Sequence, residues 1–137
     1  MISIGEMSLR TNVKVPTIRY YEQMGLISAP ERSSGNQRRY SESELQRLSF
    51  IKHARDLGLT IDAIRELLEL SERPNEPCAF ADEIATLHLQ SVQSKIKQLR
   101  KLEKELKRIV SGCRGETVEN CYVIQALANH KLCAGEH

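Results

Sequence analysis

Apolar residues along this chain fall into a series of short helical runs followed by one long run, with a basic, turn-rich stretch between them. Ser3 stands three residues ahead of Glu6, with Ile4, Met7 and Leu9 available for a buried face, which is the pattern of a capped short helix. Asn12-Val13-Lys14-Val15 breaks it, and Pro16 supplies the fixed φ favoured in a helix's first turn. A second helix is predicted from about Pro16 to Met24, stopping at Gly25. Two short helices with a tight connection make a helix-turn-helix.

Beyond Leu26-Ile27, the stretch from Ser28 to Arg39 sets Pro30, Gly35 and Asn36 among Arg32, Arg38 and Arg39. Ser33-Ser34-Gly35-Asn36 reads as a turn between two extended arms, a basic hairpin or wing. Ser41 then caps a helix carrying Leu45, Leu48, Ile51 and Leu57 that ends at Gly58, and Thr60 caps another with Ile61, Ile64, Leu67 and Leu68. Pro74 and Pro77 close that run.

From about Ala79 to Gly112 neither Pro nor Gly interrupts the chain. Ala85, Leu89, Val92, Ile96, Leu99, Leu102, Leu106 and Ile109 follow one another in steps of 4, 3, 4, 3, 3, 4 and 3, a coiled-coil seam with a local stammer. A helix of roughly 30 residues is ~45 Å long, too long for the preceding small domain to cover. A second copy of the same chain is the economical partner.

Composition narrows the function. The 137 residues are 40% hydrophobic and 28% charged, with six aromatics and no Trp, which argues against a carbohydrate cleft or a large aromatic cofactor pocket. No stretch approaches the ~20 apolar residues that span a bilayer, and residues 1–10 show no signal-peptide core, so no membrane partner and a reducing cytoplasm are expected. Thiols there more often bind metals or react than form disulfides. The net charge of +2 is unevenly spread: residues 1–60 hold nine Lys/Arg and six Asp/Glu, for +3, and residues 61–137 hold eleven and twelve, for −1. The excess positive charge lies where phosphates would be neutralised.

Ile18-Arg19-Tyr20-Tyr21-Glu22, Gly25-Leu26-Ile27, Arg38-Arg39-Tyr40 and Ala54-Arg55-Asp56-Leu57-Gly58, in this order, resemble the MerR family of bacterial transcription regulators over almost the whole chain. The resemblance implies a mainly α fold: a winged helix-turn-helix domain over 1–70, a linker over 71–80, a long antiparallel coiled-coil dimerisation helix over 81–112, and a metal-binding loop, short helix and tail over 113–137. It also implies a homodimer on double-stranded promoter DNA that serves RNA polymerase, repressing weakly without effector and activating when effector distorts the promoter.

On such a scaffold the second helix presents Thr17 and Arg19 to base edges and phosphates, while Arg32 and Arg38 on the wing and Arg55 beyond it grip flanking phosphates. Tyr20 and Tyr21 point in different directions on a helix; Tyr20 is assigned to the core and Tyr21 to the DNA backbone. Lys14 suits a phosphate contact and plain solvation equally.

The effector is expected at the cysteines. Cys78 lies at the start of the long helix and Cys113 at its end, 35 residues on; Cys121 follows after seven intervening residues, Arg114 to Asn120. Cys78 and Cys113 of one chain stand roughly 50 Å apart along a helix at its usual rise, so they share no ion within a subunit. Antiparallel pairing sets the start of one helix beside the end of the other. By resemblance to heavy-metal members, Cys78 of the partner subunit then joins Cys113 and Cys121 around one ion. Three thiolates favour Zn, Cd, Pb or Hg, whereas two suit linear Cu(I), the alternative effector. In copper-sensing relatives the place of Cys78 holds a residue that cannot ligate, yet the seven-residue loop is also theirs. Zinc would want a fourth ligand, for which Thr117 and Glu119 are poor candidates.

His130, Cys133 and His137 form a tail of ligand types that reads either as extra ligands or as an unstructured end. A thiol redox sensor and a metal-buffering protein are the rival readings. No nucleophile–base or carboxylate constellation points to an enzyme.

Overall fold

The structure, a computed structural model, describes residues 1–28, 31–32, 35, 38–112, 115 and 117–129. The chain divides into two compact units, Met1–Asp82 and Glu83–His137.

In the first unit β1 (Ile2–Ser3) leads into α1 (Ile4–Thr11), α2 (Val15–Gln23), β2 (Glu31–Arg32), β3 (Arg38–Tyr40), α3 (Glu42–Asp56) and α4 (Ile61–Ser71). Helix starts follow the local code. Ser3 Oγ accepts from the Glu6 N–H at 3.2 Å, Ser41 Oγ from Glu44 at 3.2 Å and Thr60 Oγ1 from Ala63 at 3.1 Å. Each such cap stabilises its helix by about 1 kcal/mol. Between α1 and α2 the chain turns through Asn12 at φ 58°, a left-handed conformation that Asn tolerates better than most residues. Gly25 (φ 75°) and Gly58 (φ 86°) close α2 and α3 in the same region.

The basic hairpin is present as strands: β2 and β3 are antiparallel, with Glu31 opposite Arg39 and Arg32 opposite Arg38. Of its turn, only Gly35 lies within the described residues. A strand that the pattern did not predict completes the sheet. Ile2 pairs with Tyr40 and Ser3 with Arg39, giving the order β1-β3-β2.

Met7, Ile18, Leu26, Tyr40, Leu48, Ile51 and Ile64 are sealed from water and form the core of this unit. Burying an aliphatic side chain of this size stabilises by about 1.5–3 kcal/mol relative to full exposure, an upper estimate because unfolded chains are already partly collapsed. Two expected core residues point outward instead. Leu9 is exposed, and α1 buries Met7 and Thr11, four residues apart on one face; Leu57 is exposed, and Ala54 takes the buried place near the end of α3.

From the last residues of the first unit into the second, α5 (Ala79–Ser111) runs 33 residues without a break, followed in the second unit by a 3-10 turn (Val118–Asn120) and α6 (Tyr122–Ala128). Its exposed apolar residues include Leu89, Ile96, Leu99, Leu106 and Val110. Ile109, expected in the same seam, is only 4% exposed and lies with buried Glu105 on a different face. Val110, next to Ile109, is 64% exposed and continues the open side of the helix. Leu102, half-buried, and Ile109 belong to the side that α5 keeps for its own chain.

Candidate functional site

Around the helical wheel of α2, Pro16, Arg19, Tyr20 and Gln23 share one exposed face at i, i+3, i+4 and i+7, and Ile18 and Tyr21 share the buried one. The two tyrosines therefore exchange the places expected of them: Tyr21 is 7% exposed and Tyr20 49%. Ile18 decides this, because it is fully buried and lies three residues before Tyr21. The rings remain neighbours, with centroids 6.0 Å apart. Lys14 is exposed at the N-cap of α2, where the helix's positive end adds to its charge, and Thr17 is half-buried on the flank. Tyr20 and Gln23 were missed as surface candidates. The signal was their spacing from Arg19 and Pro16.

Three contacts hold the far side of α2. Tyr40, on the wing strand, donates its hydroxyl to Glu22 Oε2 at 2.7 Å. Arg65 Nη2, on α4, donates to the Met24 carbonyl at 2.9 Å, and Arg47 Nε, on α3, donates to the Leu26 carbonyl while its Nη1 pairs with Glu72 at 3.0 Å. Arginines 47 and 65 thus serve the orphan carbonyls after a helix end, where cations are favoured. Arg32 on β2 and Arg38 on β3 are backbone partners in the antiparallel register. Arg55 is exposed, with Nη1 donating to the Leu59 carbonyl at 2.7 Å, so part of its guanidinium closes the corner between α3 and α4.

Of the expected thiolate ligands, Cys78 and Cys121 fall within the described residues; Cys113, and the tail residues His130, Cys133 and His137, lie outside them. Cys78 is an exposed thiol immediately ahead of α5, its carbonyl accepting the Asp82 N–H at 2.9 Å. Cys121 is a half-buried thiol between the 3-10 turn and α6; its N–H donates to the Val118 carbonyl at 3.2 Å and its carbonyl accepts from Gln125 at 3.0 Å. Both are soft sulfur donors of the kind thiophilic metals select. Between them in the loop, Gly115 has φ 71°, which an L side chain rarely adopts. Among the described residues of a single chain, no three ligand-type side chains gather into a metal cluster. No described helix is long and apolar enough to cross a membrane.

A polar cluster that the sequence reading missed lies at the base of this loop. Glu105, 7% exposed on α5, takes both Nε and Nη2 of Arg108. Arg108 Nη1 donates to the Tyr122 hydroxyl at 2.5 Å, and its guanidinium carbon lies 5.9 Å from the centroid of that ring. The Glu105 carboxylate, against some lowering by burial and with added help from the Tyr122 hydroxyl, holds the Arg108 guanidinium more firmly protonated than usual.

A helix-turn-helix with an adjoining basic hairpin, followed by a long helix with an uncovered apolar stripe, defines a DNA-binding regulator built to pair. Comparison with known proteins agrees. The model of the MerR helix-turn-helix regulatory family matches residues 2–71, and a second model, described as MerR, DNA binding, matches residues 45–109. The chain belongs to the MerR family, in its heavy-metal-responsive branch. It is 37% identical over 130 residues to the HTH-type transcriptional regulator ZntR of Escherichia coli K12, covering 93% of this chain and 92% of ZntR. The solved structure of PbrR691 from Ralstonia metallidurans CH34 in complex with lead(II) has a TM-score of 0.80 at 39% identity, covering 93% of this chain and 99% of that one. That of the MerR regulator from Bacillus megaterium MB1 with mercury(II) has a TM-score of 0.69 at 29% identity, covering 93% and 100%.

Proposed function

We propose that this chain is a metal-responsive transcription regulator. It binds promoter DNA as a homodimer through α2 and the wing, and it activates metal-resistance or export genes by distorting that DNA when a divalent heavy-metal ion binds. The observation that carries the reading is the distribution of thiols about α5. Cys78 stands at its start and Cys121 beyond its end, and 33 residues at helical rise separate those ends by about 50 Å. The uncovered stripe through Leu89, Ile96, Leu99, Leu106 and Val110 gives a second copy its seat. Antiparallel pairing then brings Cys78 of the partner subunit to Cys113 and Cys121, and three thiolates favour Zn, Cd, Pb or Hg over Cu(I).

On the DNA side, Lys14, Thr17, Arg19, Arg32, Arg38 and Arg55 supply the contacts. Tyr20 gives the exposed aromatic surface, and Tyr21 backs it from the core. The relatives named for zinc, lead and mercury support a metal effector. Cys78→Ser in a promoter reporter challenged with Zn, Cd, Pb, Hg and Cu salts tests the site. The variant is expected to bind operator DNA as the parent does and to lose the divalent response; an unchanged response removes Cys78 from the site, and a response to copper alone transfers the reading to Cu(I).

A further inference from the structure

The two residues that bracket the candidate loop, Gly112 before Cys113 and Tyr122 after Cys121, are in contact. A methyl group built on Gly112 would overlap the Tyr122 ring, with Cε1 and Cγ each only 2.8 Å from it. Real Cβ atoms essentially never approach so closely, so the ring lies where only glycine leaves room. The same ring is held from α5 by Arg108, at the hydroxyl and from the side of the guanidinium. Arg108 is in turn fixed by Glu105, buried one turn earlier. Glu105, Arg108 and Gly112 lie on one face of α5 at i, i+3 and i+7. A stack of side chains on the long helix thus fastens the residue that follows Cys121.

We infer that Glu105, Arg108, Gly112 and Tyr122 form a clamp that closes the base of the thiolate loop and sets its affinity for metal without ligating it. This rests on the reading of Cys113 and Cys121 as metal ligands. Bringing the ends of a flexible loop together costs conformational entropy. A loop closed before the ion arrives spares the ion that cost, so preorganisation appears as tighter binding. Tyr122 is a positioning residue in this arrangement: its backbone is bonded to Cys121, its ring packs on the helix that leads into Cys113, and its hydroxyl accepts a hydrogen bond from that helix. The charged hydrogen bond from Arg108 is of the stronger class.

The test uses the full chain as its dimer, with Cd(II) alone as probe. Thiolate-to-metal charge-transfer absorbance is followed in competition with a chelator. Tyr122→Phe keeps the ring against Gly112 and removes the hydroxyl; Gly112→Ala displaces the ring. Each is expected to weaken Cd(II) binding about ten-fold, within the range seen when supporting groups around a metal are removed. The absorbance at saturation should match the parent, because the thiolates are intact, and metal-free operator affinity should be unchanged. The double variant should bind no worse than Gly112→Ala by itself, because both changes break one device and their effects do not add.

Affinity within two-fold of the parent in both single variants, or full additivity in the double, overturns the clamp. Cys121→Ser separates that failure from failure of the underlying reading. If it abolishes the band while the clamp variants bind normally, only the clamp is wrong; if it binds Cd(II) as the parent does, the metal reading falls and the clamp with it.

Discussion

In the first unit Met7, Ile18, Leu26, Tyr40, Leu48, Ile51 and Ile64 are sealed from water by their own chain, whereas along α5 Leu89, Leu99, Leu106 and Val110 stand in the open. Both units are rich in aliphatic residues at helical spacing, so hydrophobicity by itself does not separate them. Topology does. Four helices and a three-stranded sheet can surround a core, but a single 33-residue helix with one short companion has only one side covered. The first unit thus buries its aliphatic residues within its own chain, and the second leaves a row of them for the proposed partner copy. In the proposed dimer, stability depends on protein concentration.

Breaking the second unit's borrowed half should have the largest effect. Leu99→Glu with Leu106→Glu places two carboxylates in each copy of the proposed seam, and buried unpaired charge costs several kcal/mol apiece. Sedimentation should show a monomer at concentrations where the parent is a dimer, while the far-ultraviolet signature of the first unit's helices persists. A dimer that survives both changes would mean that the stripe is not the interface.

Ile51→Ala attacks the self-contained core and is expected to cost about 2–5 kcal/mol in denaturant unfolding, the range for truncating a buried aliphatic chain. Its effect should be independent of protein concentration if the transition observed is that of the first unit. A concentration-dependent loss would tie the two units' stabilities together and blur the contrast. Ser41→Ala removes a single capping oxygen from α3 and is expected to cost about 1 kcal/mol, seen as a small shift of the same transition. No shift would mean that water replaces the cap at this helix start.

The parts of this architecture written in local chemistry were legible in the sequence. Ser3, Ser41 and Thr60 each announced a helix start through a side chain that reaches only three residues ahead. The long helix declared itself by the absence of Pro and Gly. What depended on distant partners was not legible. The strand at Ile2–Ser3 exists because Tyr40 and Arg39 lie beside it, and nothing in two residues signals that pairing. The last position of the expected seam depended on the fold as well, since Ile109 is taken by the helix's intrachain side while Val110 beside it stands in the open. Tyr20 and Tyr21 were interchanged because either is a plausible core aromatic; Ile18, three residues before Tyr21, breaks the tie only once the depth of its burial is seen.

Beyond the end of α5 the cysteines stand as candidates by residue type, spacing and family resemblance, with Cys113 outside the described residues. The cluster of Glu105, Arg108 and Tyr122 was not legible, because a Glu and an Arg three residues apart usually mark a solvated helix face. Burial of Glu105 alone distinguishes this pair from the exposed Glu103–Lys107 pair on the same helix.

The bonds from Tyr40 to Glu22, from Arg65 to the Met24 carbonyl and from Arg47 to the Leu26 carbonyl have a mechanical meaning. They moor one short helix, at its end and just beyond, to three separate elements: the sheet, α4 and α3. A rod moored in this way does not swivel in its socket. In the proposed reading, in which α2 reads DNA, torque on that helix is delivered by turning the sheet, α3 and α4 along with it, so a twist imposed on the promoter would measure rotation of a whole solid body.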